Sequence, residues 1–329
     1  MIKRVFLNSP VTARHPLLLT LLTSLWLVTL PNIALWRQLS QLPEVTGLRG
    51  LLFGLGFAFV IAGLTHALLS LLNWRWLLKP VLTLFLLSAA SGAYFMSSYG
   101  IVIDTPMLVN VVQTDPREAA DLFNWRMLLS LGVLGVLPAW WVWRQPVRTV
   151  RWARRLGGNM LAFLGSVAVL VVSLLLIYQD FASVMRNHTQ LRYLINPLNS
   201  FYAVGDVIAK PLERDNTQLE PIGKDARLAL PPHAAPATLL VVVGETARMG
   251  NFGINGYERD TTPRLSREEI VSLRNVWSCG TSTASSLPCM FSHLGKQDFE
   301  KRSHNFESLV DLLHHAGLAV LWIDNQSGC

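Results

Sequence analysis

The chain has 329 residues, of which 51% are hydrophobic and only 15% charged. Before Tyr178 the apolar residues gather in runs longer than a small soluble core needs, which excludes a wholly soluble protein and marks a membrane class. The formal net charge of +7 rests on Arg and Lys placed between those runs, not on one basic face, which argues against a nucleic-acid ligand.

In chain order, five runs are long enough, or nearly so, to cross about 30 Å of hydrocarbon at about 1.5 Å per helical residue. They are residues 16–36, 51–72, 81–99, 127–143 and 160–178, the fourth being the shortest. A cleaved signal peptide is the competing reading of the first run, but it lacks a small-x-small cleavage site and more spans follow. Lys and Arg resist translocation, so they report orientation. Lys3, Arg4 and Arg14 precede the first span, Arg75 and Lys79 follow the second, and Arg144, Arg148, Arg151, Arg154 and Arg155 follow the fourth. The other loops carry only Arg37, Arg49, Arg117 and Arg126, which predicts a cytoplasmic N-terminus and an extracytoplasmic side for everything after Tyr178. Tryptophans such as Trp36, Trp76, Trp125 and Trp143 stand near span ends, where an indole can lie at headgroup level. His66 lies inside the second span, either as a functional intramembrane ionisable group or as a neutral imidazole bonded to a neighbouring helix.

The loop 101–125 reads IVIDTPMLVNVVQTDPREAADLFNW, too polar to span yet apolar at helical intervals, which predicts an interfacial helix. Asn110, Thr114 and Glu118 recur every four residues, so a continuous helix would show an amide, a hydroxyl and a carboxylate on one face. Pro116 would kink that helix or start a second one capped by Thr114. A solvated face and a platform for a cationic amine both remain open.

Residues 179–235 mix polar and apolar residues with six prolines at 197, 211, 221, 231, 232 and 236 on their border, and read as a tether with short surface helices. ATLLVVV at 237–243 then has the β-branched character of a strand buried on both faces, ending at Gly244-Glu245-Thr246. Ligands of open α/β sheets bind beyond the carboxyl ends of strands, which places Glu245 well. A helix over 305–315 and a second strand over 318–323 complete the expected start of a parallel α/β sheet.

The three cysteines, Cys279, Cys289 and Cys329, all follow the last apolar run, as an oxidising compartment permits. Cys279 and Cys289 bracket CGTSTASSLPC, and can either close a small disulfide loop or ligate a metal, although zinc-module spacing is missing. Thr281, Ser282, Thr283, Ser285 and Ser286 are all candidate hydroxyl nucleophiles, and composition alone does not choose among them.

VVVGET, NFGINGYERDTTPRL, SCGTSTASSLPCMFS and, in the outer loop, YGIVIDTPMLVNVVQTDPRE closely resemble the lipid A phosphoethanolamine transferases, the EptA and mobile colistin resistance family. The resemblance implies a five-helix transmembrane domain (1–178, with the outer loop at 101–125), a linker (179–235) and the first part of a periplasmic domain of alkaline phosphatase and sulfatase fold (236–329). It implies an inner-membrane enzyme that moves phosphoethanolamine from phosphatidylethanolamine to a lipid A phosphate through a phosphothreonine, with membrane lipids as its surroundings. It further implies Thr283 as nucleophile, Glu245 and Thr283 as ligands of Zn²⁺, Asn110, Thr114, Glu118 and Ser327 as substrate-binding residues, and a disulfide between Cys279 and Cys289. Zinc would favour the alkoxide of Thr283 and polarise the phosphoryl oxygen.

The family completes its zinc site with an Asp-His pair and further histidines, and no Asp-His dipeptide occurs here. The expectation is a shortened form with an incomplete zinc site, an open sheet edge and a Cys329 whose partner lies beyond the chain. Arg248-Met249-Gly250-Asn251 also replaces the family's usual Arg-Ala-Glu-Asn. Two other functions compete: a related transferase of phosphoglycerol or phosphoethanolamine to a glycan or teichoic-type acceptor, against which the NVVQTDPRE loop speaks, and a non-catalytic membrane protein associating with longer homologues.

Overall fold

The computed structural model describes residues 13–114, 119–120, 122–209, 219–229, 238–244 and 246–323. Two compact units divide the chain, Met1–Ala209 and Lys210–Cys329.

In the first unit, five helical stretches are long and apolar enough to cross a membrane: Pro16–Ser40, Gly47–Leu71, Leu78–Tyr99, Trp125–Arg144 and Trp152–Leu176. Their outward faces are apolar, with Leu161 74% and Leu175 69% exposed, while Thr20, Ser24, Thr65 and Ser70 are buried between helices. That inversion suits hydrocarbon, where helices associate by close packing and not by apolar burial. The buried hydroxyls need no distant partner: Ser24 donates to the Thr20 carbonyl at 2.9 Å, Thr65 to Ile61 at 2.8 Å and Ser70 to His66 at 2.6 Å. The second and fifth spans pack closely at Gly63, where an added methyl group would lie 3.0 Å from the Ser166 carbonyl oxygen.

Two spans are broken by proline, and in hydrocarbon each freed carbonyl must find another donor. Pro31 cannot bond to the Leu27 carbonyl; the Asn32 side-chain amide donates to it instead at 2.7 Å. The chain tightens into a 3₁₀ turn over Leu30–Asn32, which also frees the Val28 carbonyl, and the Trp36 indole donates there at 2.7 Å. In the fourth span a π-helical turn, Gly132–Val136, precedes Pro138, whose missing N–H leaves the Leu134 carbonyl to the indole of Trp26 at 3.1 Å.

Past the fifth span, helix Tyr178–Asn187, a 3₁₀ turn Thr189–Leu194 and helix Leu198–Ala209 belong to the same unit. Leu191 and Leu194 sit in one apolar cluster with Leu35, Phe53, Phe57 and Ile61. Asn196 fixes the segment: its side-chain amide donates to the carbonyls of Pro31 at 2.9 Å and Ala89 at 2.6 Å, and its backbone N–H donates to Asn32 Oδ1 at 2.9 Å. Gly92 makes room for that side chain, since a methyl group there would collide with Asn196 Oδ1.

The second unit has helices Thr283–Met290, Lys296–Lys301 and Leu309–His315, and a parallel pairing of Leu219–Glu220 with Asn305–Phe306. The helix expected over 305–315 therefore starts later, at Leu309, behind a capping box in which Ser308 N–H and Oγ–H both donate to Asp311 Oδ2 at 2.8 Å. The strands expected over 237–243 and 318–323 are corrected: residues 238–243 and 318–323 join no ladder among the described residues. A strand buried on both faces needs a covered partner on each edge, and here Leu239, Val242 and Leu321 stand 84%, 82% and 81% exposed.

Candidate functional site

Thr283 is the first residue of helix Thr283–Met290, and it is exposed. Ser282 before it has extended backbone, is buried, and accepts the Ser285 N–H on its hydroxyl at 3.3 Å, an N-cap that starts the helix one residue after itself. A disulfide joins Cys279 to Cys289, with Cα atoms 6.2 Å apart, and ties the approach to the helix to the helix's last turn. Pro288 inside the helix removes one intrahelical donor, so the cross-link and the cap carry much of the local order. Gly280 is required by a close approach, since a methyl group there would lie 2.7 Å from Ser285 Cβ. An oxygen at this helix N-terminus faces the positive end of the helix dipole, a setting that favours an anion such as a phosphoryl group.

Beside this loop lies a cavity of about 470 Å³, lined by Phe252, Asn255, Trp277, Cys279, Ser286 and Met290 among others. The NFGINGYERDTTPRL turn that builds its wall is held by its own threonines. Thr261 Oγ1 donates to the Asn251 carbonyl at 2.6 Å and accepts from Gly253 N–H at 3.0 Å; Thr262 Oγ1 accepts from Ile254 N–H at 3.0 Å. Gly256, with φ of 97°, takes the left-handed position that closes the turn.

In the first unit, helix Thr105–Gln113 is capped by Asp104, whose carboxylate accepts the Met107 N–H at 3.0 Å. Thr105 donates to Asp206 Oδ2 at 2.7 Å, and the Asn199 amide donates to the Ile103 carbonyl at 2.7 Å, anchoring the helix to helix Leu198–Ala209. Asn110 and Thr114 lie one turn apart at the helix end, the threonine hydroxyl donating to the Asn110 backbone carbonyl at 2.7 Å. A continuous helix through Glu118 does not form: Thr114 is already extended, with φ −66° and ψ 131°, ahead of an Asp-Pro step that disfavours helical backbone.

Of the residues singled out from the sequence, Thr283, Cys279 and Cys289 share one loop, and Asn110 and Thr114 share one helix end. Glu118, Glu245, Ser327 and Cys329 lie outside the described residues. Ser282 and Asp104 escaped sequence reading as site-building residues. The signal that finds both is a cap residue immediately ahead of a helix start, Ser-Thr in one case and Asp-Thr-Pro in the other.

The fit to a metal is poor on these donors. Among the described residues no three His, Cys, Asp or Glu side chains converge as a metal site. Of the ligands that the resemblance marks, the described one is the Thr283 hydroxyl, and a single hydroxyl falls well short of the roughly four donors of tetrahedral zinc.

Residues 61–212 match the family described as phosphoethanolamine transferase EptA/EptB, and residues 237–329 match the sulfatase family. The chain is 36% identical over 316 residues to phosphoethanolamine transferase EptA of Escherichia coli K12, covering 94% of this chain and 57% of that protein. It is 35% identical over 318 residues to phosphatidylethanolamine transferase Mcr-1 of Escherichia coli, covering 95% and 58%. In structure it resembles the integral membrane lipooligosaccharide phosphoethanolamine transferase A of Neisseria meningitidis, with a TM-score of 0.87, 31% identity, and coverage of 95% of this chain and 59% of that one. The chain thus spans under two thirds of the length of these relatives. With a membrane-spanning helical unit followed by a sulfatase-like region, and with both regions matched at this identity, the chain belongs to the EptA and Mcr family of phosphoethanolamine transferases.

Proposed function

We propose that this chain carries the donor-side machinery for moving phosphoethanolamine from phosphatidylethanolamine to lipid A, with Thr283 as the residue that is transiently phosphorylated. The observation behind this reading is the exposed residue Thr283 at a capped helix N-terminus, locked by the disulfide between Cys279 and Cys289. Thr283 Oγ1 attacks phosphorus in line and loses its proton as the bond to the diacylglycerol oxygen breaks; diacylglycerol leaves as the alcohol. A lipid A phosphate oxygen then attacks the phosphothreonine, and the threonine hydroxyl is restored. Two displacements through a covalent intermediate give ping-pong kinetics.

Asn110, Thr114 and Glu118 take the role of holding the ethanolamine headgroup, and Ser327 contributes to the same substrate. The placement of both residues at one helix end, with the Thr114 hydroxyl donating to the Asn110 backbone carbonyl, supports this assignment. Glu245 and Thr283 are assigned as this chain's contribution to a zinc site whose other ligands belong to the family pattern. The basic loops after the second and fourth spans support a cytoplasmic N-terminus in the inner membrane and a periplasmic second unit. Adding a cationic ethanolamine to lipid A lowers the negative charge of the outer surface and weakens cationic peptide antibiotics.

Mass spectrometry of lipid A from cells expressing this chain, beside Thr283→Ala, tests the reading. Phosphoethanolamine-bearing lipid A is expected from the unmutated chain and not from the variant. Unmodified lipid A from both, or equal modification from both, overturns it.

A further inference from the structure

Arg155, in the first turn of the fifth span, is 7% exposed, and its charge is not neutralised by any carboxylate among the described residues. It rests on neutral oxygens: Nε donates to the Asn73 carbonyl at 2.8 Å and one Nη donates to Asn73 Oδ1 at 3.0 Å. Asn159 completes the cradle, exchanging amide bonds with Asn73 at 2.9 and 3.0 Å. The four described carboxylates of this unit are all engaged elsewhere: Glu44 with His188, Asp104 with Met107 N–H, Asp180 with Arg49 and Asp206 with Thr105. The other acidic residues of this unit, Asp115, Glu118 and Asp121, lie outside the described residues.

The surroundings add positive charge. Arg75, exposed just beyond the second span, follows by two residues the Asn73 on which Arg155 rests, which brings the two positive charges to one end of the bundle. Arg151 and Arg154 flank the same helix start, which has no acidic residue in its first turn and no side-chain cap on its N-terminal N–H groups. Cations are unfavourable at the positive end of a 25-residue helix, and burying one of them is costlier still. The tendency of cytoplasmic loops to be basic accounts for Arg75, Arg151 and Arg154, but not for a guanidinium built into a cradle of two asparagines. The second Nη of Arg155 makes no hydrogen bond with the described residues.

We propose that this basic cluster, formed by Arg155, Arg75 and the N-terminus of the fifth span, binds the phosphodiester headgroup of an anionic phospholipid in the leaflet at that end of the bundle. One anion there offsets the helix dipole, pairs with the buried guanidinium and balances the positive charge gathered at that end. Basic pockets between transmembrane helices take anionic headgroups in this way. The site lies at the end of the bundle opposite the loop containing Asn110 and Thr114, so it is distinct from the residues assigned to phosphatidylethanolamine.

Native mass spectrometry of the full chain tests this, with micelles supplemented by phosphatidylglycerol, by phosphatidylcholine or by sodium phosphate. Retention of phosphatidylglycerol and not of phosphatidylcholine is expected. Arg155→Gln should lower retention about tenfold, the scale of one lost charge-assisted hydrogen bond, and Arg75→Gln about fivefold. Arg126→Gln at the other end of the bundle should leave it unchanged. Arg75 is exposed, so its variant folds and decides the matter even where Arg155→Gln does not. Equal retention of phosphatidylcholine, an equal loss in Arg126→Gln, or an unaltered Arg75→Gln overturns the proposal. Sodium phosphate protecting the chain from heat as well as phosphatidylglycerol does overturns the lipid assignment.

Discussion

In the membrane unit the carbonyls of Leu27, Val28 and Leu134, released by breaks in the first and fourth spans, each accept from a side chain of the same bundle. In the second unit the apolar runs 238–243 and 318–323 leave large side chains exposed and join no ladder among the described residues, and order comes from caps, a disulfide and threonine-held turns. The difference follows from what each kind of element needs. A helix satisfies its own backbone and asks its neighbours only to repair defects, whereas a strand has no internal bonds and depends wholly on partners. Membrane-unit variants should therefore act over the whole bundle, and second-unit variants on one loop or one helix.

The largest effect is expected at Gly92. Leucine there would drive into Asn196, which bridges Pro31 and Ala89, and overpacking of this kind costs about 1–3 kcal/mol before the lost bonds are added. Thermal unfolding in detergent should show the whole membrane unit weakened. Asn196→Ala should do less, because bonds between membrane helices contribute about 0.6 kcal/mol each and at most about 1.7. A Gly92→Leu chain as stable as the parent would show that the segment after the fifth span is not part of the bundle's core.

Removing the disulfide should act locally. Cys279→Ser with Cys289→Ser opens a loop whose ends are 10 residues apart, for which loop closure contributes about 2–3 kcal/mol. Hydrogen exchange at residues 283–290 should quicken while the membrane unit melts unchanged. A parallel fall in both units would mean that the two fold as one.

How much of this was legible in the sequence follows the same division. The five spans were readable because length and apolarity are local properties, and their ends agree with the structure to within a few residues at most termini. The role of Leu191 and Leu194 in the bundle core was not, because a short 3₁₀ turn has no amphipathic period to detect. Nor were the repairs at Pro31 and Pro138, which depend on side chains from elsewhere in the bundle. On the site, residue types and motif order pointed to the Cys279–Cys289 loop, but which hydroxyl begins the helix is settled by the Ser282 cap. Glu118 shows the limit of spacing arguments: a period of four residues carries meaning only while the helix continues, and it ends at Thr114.

A smaller, pH-dependent effect is expected at the last helix of the second unit. The Ser308 backbone and hydroxyl hold Asp311 below the usual carboxylate range, and His315 with the Ile222 N–H does the same for Glu307. Both carboxyls bind protons less readily folded than unfolded. Their contribution is thus complete above the unfolded values near 4 and is lost as pH falls through the lower folded values. Asp311→Asn should cost about 1 kcal/mol at neutral pH, the scale of a helix cap, and should flatten the acid limb of unfolding followed by circular dichroism. An acid limb as steep as the parent's would place the titrating groups elsewhere.

The smallest effect is expected at His66, even though it is an ionisable side chain in the middle of a span. Its ring lies between Thr20 Oγ1 at 3.2 Å and Ser166 Oγ at 2.7 Å, bridging three spans. The Ser166 hydroxyl already donates to the Ala162 carbonyl at 2.6 Å, so it accepts from Nδ1–H. The Thr20 hydroxyl has one proton for two acceptors, Nε2 and the Leu17 carbonyl at 2.9 Å. His66→Leu therefore leaves both hydroxyls satisfied by their own helices, and should cost under about 1 kcal/mol in detergent unfolding. A variant that keeps this stability but loses lipid A modification would make His66 functional, and only that split between the two measurements would do so.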